Sequence, residues 1–150
     1  MDKKTDSLPR ARISAVAADM RAYVAQLKRR LREQADTGDL TPSQTAVLLS
    51  LENDGPTTIS ALSRAEGVRS QSMGATVAAL EARGFVSGRP DPDDKRQTII
   101  SMTESCRRWV AEGRAARNDW LCGMIEARLT ASEQQELERA VHLLKRLVDP

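Results

Sequence analysis

The chain has 150 residues, of which 40% are hydrophobic, 29% charged and only 3% aromatic, which is typical of one helix-rich globular domain with room for a core. Its formal net charge of +2 excludes a strongly basic protein, so any affinity for nucleic acid must come from the placement of a few charges. No segment approaches the roughly 20 apolar residues of a membrane span, and no apolar run follows the basic N-terminus to make a secretory signal.

The N-terminal part of the chain predicts two helices. From Pro9 to about Gln34, apolar residues recur every three or four positions, which indicates a long helix with one apolar stripe. After a polar break, Thr41-Pro42-Ser43-Gln44 has the pattern of a capping box with proline at the first helical position. The residues that follow, 46–51, are apolar on most sides, so we expect the second helix at the centre of the core.

The stretch from Thr57 to Met102 predicts two short helices followed by a hairpin. The third helix covers about two turns and stops at Gly67, and the fourth begins at Arg69 or Ser70 and ends before Gly84. Two strands, at 85–87 and 98–102, flank a polar turn. This order of parts is that of a winged helix-turn-helix.

The C-terminal part predicts two more helices. Thr103 is expected to cap a fifth helix that extends to about Leu129, and Thr130-Ala131-Ser132-Glu133 forms a second capping box before the last helix. The first and last helices each carry an apolar stripe without an evident partner in a winged core. We therefore expect them to pair across a two-fold axis and form a homodimer. The predicted organisation is one domain over 1–150, with a winged core at 41–102 and dimerisation helices at 9–35 and 103–150.

The predicted fourth helix carries the first candidate site. In a helix-turn-helix the second helix enters the major groove of double-stranded DNA by its N-terminal end. Guanidinium, hydroxyl and amide groups bind phosphates and base edges, and here they belong to Arg69, Ser70, Gln71 and Ser72. The small side chain of Ala75 would allow close approach to DNA. Alternatively, Ser70 is only a helix cap, and Ser72 is a cap or a residue at the edge of the core.

The hairpin tip, residues 91–96, carries the second candidate site. Lys95 and Arg96 would be held beyond the body of the fold, where an arginine can enter a minor groove. Asp94 is expected to form a salt bridge that orients Arg96 or a basic side chain of the recognition helix. Arg89 is either a phosphate contact or a solvated residue. The acidic residues of the tip also fit a plain solvated turn, since Asp and Pro favour turns.

These segments resemble the MarR family of bacterial transcriptional regulators. The resemblance rests on Val68–Val86 followed by Arg89–Arg96. The family's Leu-Glu-x-x-Gly-hydrophobic-Val string matches Leu80–Val86, and its Asp-x-Arg wing signature falls on Asp94–Arg96. Leu40–Gln44 is also similar to the usual start of the family's second helix, whereas the terminal helices match only in length and pattern.

The resemblance implies a mostly α-helical homodimer, with a small β-hairpin wing, that acts as a repressor on a palindromic operator. It also implies release by a small effector, which we expect to be aromatic or amphipathic. By analogy, the effector pocket would involve Met20, Tyr23 and Trp109, although Trp109 also fits a plain core position. Many family members have a basic residue where this chain has Gly74 and Ala75, so base readout is expected to rely on Arg69 and Gln71.

Redox sensing, metal binding and catalysis each require particular residues. The family's peroxide sensors have a reactive cysteine in the first helix, where this chain has none. Cys106 and Cys122 lie too far apart on one predicted helix to form a disulfide within it, and we expect them to be packing residues of a reduced, cytoplasmic protein. A thiol switch through these cysteines and a winged module that binds protein are the alternatives. Because metal-ligand, catalytic and phosphate-loop patterns are absent from the sequence, we expect no metal, no cofactor and no enzyme.

Overall fold

The computed structural model of the protein describes residues 7–36 and 38–149. They form six α-helices and one three-stranded sheet, which confirms the predicted fold class of a mostly α-helical protein with a small β-hairpin wing. In chain order the elements are α1 (Arg10–Glu33), α2 (Pro42–Asp54), β1 (Thr57–Thr58), α3 (Ile59–Glu66), α4 (Ser70–Ala82), β2 (Val86–Pro90), β3 (Thr98–Met102), α5 (Glu104–Arg128) and α6 (Ala131–Val148).

The chain divides into two compact units. The winged unit, described here over 38–115, contains α2 to β3 and the first part of α5. The terminal unit, described over 7–36 and 116–149, contains α1, the rest of α5 and α6. No helix within these described ranges is both long and apolar enough to cross a membrane.

Side-chain caps set the ends of the helices as the sequence predicts. The Gln44 backbone N–H donates to Thr41 Oγ1 at 3.2 Å, and the Thr41 N–H donates to Gln44 Oε1 at 3.0 Å. The same reciprocal pair joins Thr130 and Glu133 at the start of α6. Because the Thr130 N–H donates to the Glu133 carboxylate, the pKa of that carboxyl lies below its ordinary value. Both predicted capping boxes are confirmed.

The hydrophobic core lies in the winged unit. Its fully buried residues come from α2, α3, α4, the sheet and the start of α5: Val47, Leu48, Leu51, Leu62, Met73, Val77, Leu80, Val86, Ile100, Met102 and Cys106. The central position expected for α2 is confirmed for three of its residues. Leu49, however, is 51% exposed, so the expectation that this helix is buried on most sides is wrong for one face.

The sheet contains one strand more than the sequence predicts. Its order is β1-β3-β2, with both pairings antiparallel. The two residues of β1 are too few to show an alternating pattern, which is why this strand was missed. The predicted start of β2 at Phe85 is also wrong, because the Phe85 N–H donates to Leu80 O at 3.0 Å and so completes the end of α4 rather than a strand ladder.

The core predicts a contrast between two adjacent leucines of α2. Replacing the buried Leu48 by alanine should lower the free energy of unfolding by about 2–5 kcal/mol, because a cavity remains in the core. Leu49→Ala is the matched control, and its cost should stay within about 1 kcal/mol because this side chain is half exposed. Urea denaturation followed by circular dichroism measures both values, and equal losses would contradict the described packing.

Candidate nucleic-acid interface

The turn between α3 and α4 is closed by backbone and side-chain hydrogen bonds. Gly67 ends α3 in the left-handed conformation, with φ +64°, which glycine adopts without steric cost. The Val68 N–H then donates to Ser63 O at 3.1 Å, and the buried Ser63 hydroxyl donates to Val68 O at 2.5 Å. Ser63 therefore fixes the turn from inside. Sequence reasoning missed it, because one serine on a short helix carries no pattern that distinguishes it from a surface serine.

Helix α4 is buried along one face and exposed along the other. Met73, Val77 and Leu80 each expose at most 2% of their surface and pack into the core. The predicted contact residues all lie on the exposed part of α4 or just before it: Arg69, Ser70, Gln71, Ser72 and Ala75. Four of the predicted residues thus lie together at the N-terminal end of α4, and Ala75 lies one turn further along the same exposed part.

Neither Ser70 nor Ser72 caps the start of α4. Arg69, not Ser70, occupies the cap position, and no side chain caps this end. Ser72 is exposed and lies inside the helix, so its assignment to a cap or to the core edge is wrong. The first turn contains no acidic residue. Its free backbone N–H groups and the helix dipole therefore give this end a positive potential, which favours a phosphate.

A network centred on Asp94 shapes the wing tip. Both the backbone N–H and the Nε of Arg96 donate to Asp94 Oδ1 at 3.1 Å, and the side-chain amide of Gln97 donates to Asp94 Oδ2 at 3.3 Å. Of the two partners expected for Asp94, the structure selects Arg96. The Arg96 side chain hydrogen bond holds the pKa of the Asp94 carboxyl below its usual range. The Arg96 side chain is 91% exposed although one of its nitrogens is bound, so its guanidinium faces solvent from a defined position.

The remaining charged residues of the wing are acids within the turn and exposed basic side chains. Asp91 accepts a hydrogen bond from the Asp93 N–H at 2.9 Å, so the solvated-turn interpretation accounts for these two acids. Arg89 lies on β2 opposite Ile99, and both it and Lys95 are exposed. Neither cation forms an ion pair within the described parts of the chain. The wing therefore presents its positive charges outward, and two of its acids, Asp91 and Asp94, accept hydrogen bonds within the turn, whereas Asp93 is exposed.

The three residues expected at an effector pocket belong to different units: Trp109 to the winged unit, and Met20 and Tyr23 to the terminal unit. Trp109 packs against Phe85 in the winged unit, with ring centroids 5.1 Å apart. In the terminal unit, the half-buried Met20 lines a cleft of about 670 Å³ between α1 and Leu147 of α6. Tyr23 is 68% exposed.

The two cysteines also differ. Cys106 is buried in the core, as expected of a packing residue, and burial raises the pKa of its thiol. Cys122 is exposed, so the same expectation is wrong for it. Among residues 7–36 and 38–149, no group of three or more His, Cys, Asp or Glu side chains is placed to hold a metal ion.

Comparison with known proteins places the molecule among transcriptional regulators. An uncharacterised HTH-type transcriptional regulator of Mycobacterium bovis is 37% identical over 134 residues, which are 89% of this chain and 93% of that protein. The transcriptional repressor NicR of Pseudomonas putida is 35% identical over 74 residues, 49% of this chain and 47% of the repressor.

Solved structures share the fold. The crystal structure of a proposed transcriptional regulator of Pseudomonas aeruginosa is 33% identical, with a TM-score of 0.73 over 93% of this chain and 96% of that one. A cysteine variant of MarR from Escherichia coli, crystallised with operator DNA, is 23% identical, with a TM-score of 0.56 over 95% of this chain and 100% of that one, and so supports the fold alone.

The family follows from these matches together. The sequence profile described as the MarR family matches residues 40–98, the segment that holds α2, α3, α4 and most of the wing. The mycobacterial relative extends the similarity over most of the chain. Proteins of this family are DNA-binding regulators and not enzymes. The chain belongs to the MarR family of winged helix-turn-helix transcriptional regulators.

Proposed function

We propose that this regulator is a homodimeric repressor that binds a palindromic operator in the cytoplasm and releases it when a small molecule binds. The observation that carries the DNA-binding part is the exposed, acid-free first turn of α4 together with the outward-facing Arg96 of the wing. The repressor part is supported by the name of the Pseudomonas putida relative.

The side chains at the start of α4 are suited to different parts of the DNA. The Gln71 amide can donate to and accept from one adenine edge, and Arg69 can bind a guanine edge or a phosphate. The Ser70 and Ser72 hydroxyls are suited to phosphate oxygens. Ala75 lies one turn further along and has no bulk that would keep the helix out of the groove. Specificity therefore depends chiefly on Gln71 and Arg69.

The wing supplies a contact of a second kind. Arg96 is held by Asp94 in a short hydrogen-bonded turn, so little conformational entropy is lost when its guanidinium enters a minor groove. Lys95 and Arg89 are exposed on the same hairpin, which supports their proposed contacts with phosphates. Such contacts depend on DNA charge and groove shape more than on base identity.

The dimer is proposed from the terminal unit. Neither α1 nor α6 buries a single residue within this chain. Large apolar side chains nevertheless lie exposed along both helices, among them Ile13, Val16, Val24, Leu27, Val141, Leu144 and Leu147. An apolar surface of this extent marks an interaction site. A second copy of the chain, related by a two-fold axis, would cover it and would present two recognition helices to a palindrome.

The effector is proposed as an aromatic or amphipathic molecule that binds beside Met20 and Tyr23 of the terminal unit. Met20 lines a cleft with Val24 and Leu147. These two residues also belong to the apolar surface proposed for the dimer, so effector binding and dimerisation would involve the same surface.

Selection from random DNA should return a palindrome whose half-sites are about one helical turn apart. Against this operator, Gln71→Ala should relax the preference at one base position, at a cost of about 1–3 kcal/mol for the matched base. Arg96→Ala should weaken binding to all sequences alike and reduce the salt slope by about one. Recovery of no palindrome would refute operator binding, and wild-type behaviour of both variants would refute the assigned contacts.

The Asp94 network predicts a pH dependence. Because the folded pKa of Asp94 is lowered, the network is intact above the unfolded pKa of this carboxyl and is lost as pH falls through the lower, folded value. The NMR titration of Asp94 should therefore show a pKa below 3.8 in wild type. In Arg96→Ala the pKa should return toward the ordinary value, whereas Lys95→Ala, the matched control, should leave it unchanged. An Asp94 pKa at or above 3.8 in wild type would contradict this network.

The proposed dimer predicts a change of mass on substitution. In Val141→Asp/Leu144→Asp, two carboxylates enter the apolar stripe of α6, and sedimentation equilibrium should show a monomer because burying unpaired charges is costly. His142→Asp adds one carboxylate beside the stripe instead of two within it and should remain a dimer. A wild-type monomer at micromolar concentration would remove the dimer from the proposal.

A further inference from the structure

A cluster of four residues joins the end of α4 to the loop before α2. The Arg83 guanidinium donates a hydrogen bond to Gly38 O, and its central carbon lies 5.0 Å from the centroid of the Phe85 ring. Phe85 in turn packs on Trp109 of α5 at 5.1 Å, with the rings tilted by 58°. Gly38, Arg83, Phe85 and Trp109 are referred to below as the Arg83 cluster.

The backbone conformation of the loop at Gly38 favours glycine, and a side chain there would contact the cluster. Gly38 has a φ of +61°, and a Cβ added there would lie 3.2 Å from Trp109 Cζ2, 3.5 Å from Arg83 Nη2 and 3.6 Å from Phe85 Cζ. The backbone conformation opposes a side chain, and of the three distances only the one to Trp109 is tighter than ordinary contact. The Gly38 carbonyl is therefore held at a defined place against the cluster.

Two side chains of the cluster are attached firmly to α4. Arg83 is the residue that caps the C-terminal end of this helix, and its N–H donates to Ala79 O at 3.3 Å. The Phe85 N–H donates to Leu80 O at 3.0 Å, so the turn after the helix is also closed. The end of α4 and these two side chains form one hydrogen-bonded piece, and the loop at Gly38 is bound to that piece.

We propose that Arg83 is a positioning residue for DNA binding, which couples the loop between α1 and α2 to the placement of the recognition helix. The inference rests on the proposed function of α4. That helix has 13 residues, or about 20 Å at 1.5 Å per residue, so Arg83 lies at the end away from Arg69 and Gln71. It acts through the orientation of α4 and not by contact with a base.

The first test compares three variants by operator binding at several salt concentrations. Arg83→Ala should weaken binding about tenfold for every operator sequence, within the usual range of coupling between sites. Its slope of log affinity against log salt should equal that of wild type, because no phosphate contact is lost. Arg83→Lys keeps a donor for Gly38 O but loses the planar stacking on Phe85, so it should show a smaller loss. Arg108→Ala is the matched control, since Arg108 is exposed on α5 and forms no ion pair in the described chain, and it should bind as wild type.

The second test is a double-mutant cycle. Gly38→Ala should also weaken binding, and the double variant Arg83→Ala/Gly38→Ala should lose no more than the weaker-binding single variant, because both changes break the same contact. Multiplied losses would overturn the inference, as would a salt slope reduced by about one in Arg83→Ala, which would mean a direct phosphate contact. Circular dichroism and urea midpoints establish that each variant folds. If Arg83→Ala does not fold, Arg83→Met, which keeps an unbranched stem but has no donor for Gly38 O, replaces it in the cycle, with the same outcomes.

The two levels of the proposal fail differently. If wild type binds no selected operator, the proposed function fails. If wild type binds and Gln71→Ala loses its base preference while Arg83→Ala binds as wild type, only the role of Arg83 is refuted.

Discussion

The burial of one face of α4 is the constraint on which the rest of the winged unit depends. Met73, Val77 and Leu80 are almost fully enclosed, and they lie on the same side of the helix as the core formed by α2 and the sheet. Burial of these three side chains fixes the rotation of α4 about its own axis. The side chains at its N-terminal end are exposed as a consequence, and Arg69 and Gln71 lie away from the core.

In a nearly neutral chain, the basic side chains that face DNA attract it only if carboxylates do not neutralise them there. In the wing this is achieved locally, because Asp94 and Asp91 accept hydrogen bonds from the turn itself. The Arg96 guanidinium stays exposed while its position is defined. The first turn of α4 reaches a similar result by having no acid at all. Placement of charge thus replaces an excess of charge, which is consistent with a net charge of only +2.

The two units distribute their apolar surface in opposite ways. The winged unit encloses most of its large apolar side chains, with Leu49 and Val68 as exposed exceptions, whereas α1 and α6 of the terminal unit leave theirs exposed. This difference is the physical basis for proposing that one unit recognises DNA and the other associates with a second copy of the chain. The Arg83 cluster adds a link within the winged unit, between the loop that follows α1 and the helix that carries the recognition residues.

Local signals in the sequence determined the helices, their capping boxes, the glycine-ended turn and the hairpin, because each depends on residues within a few positions of one another. The exposed residues of the recognition helix could be predicted for the same reason, because the periodicity of Met73, Val77 and Leu80 defines the opposite, buried face. Only the tertiary structure decided that β1 pairs with β3, that Leu49 is exposed and that Cys122 is not a packing residue. Likewise, Arg83 meets Gly38 across 45 positions of the chain, and Ser63 closes a turn from the interior. Such contacts join residues whose neighbours in sequence carry no pattern, so they arise only when the core has brought distant segments together.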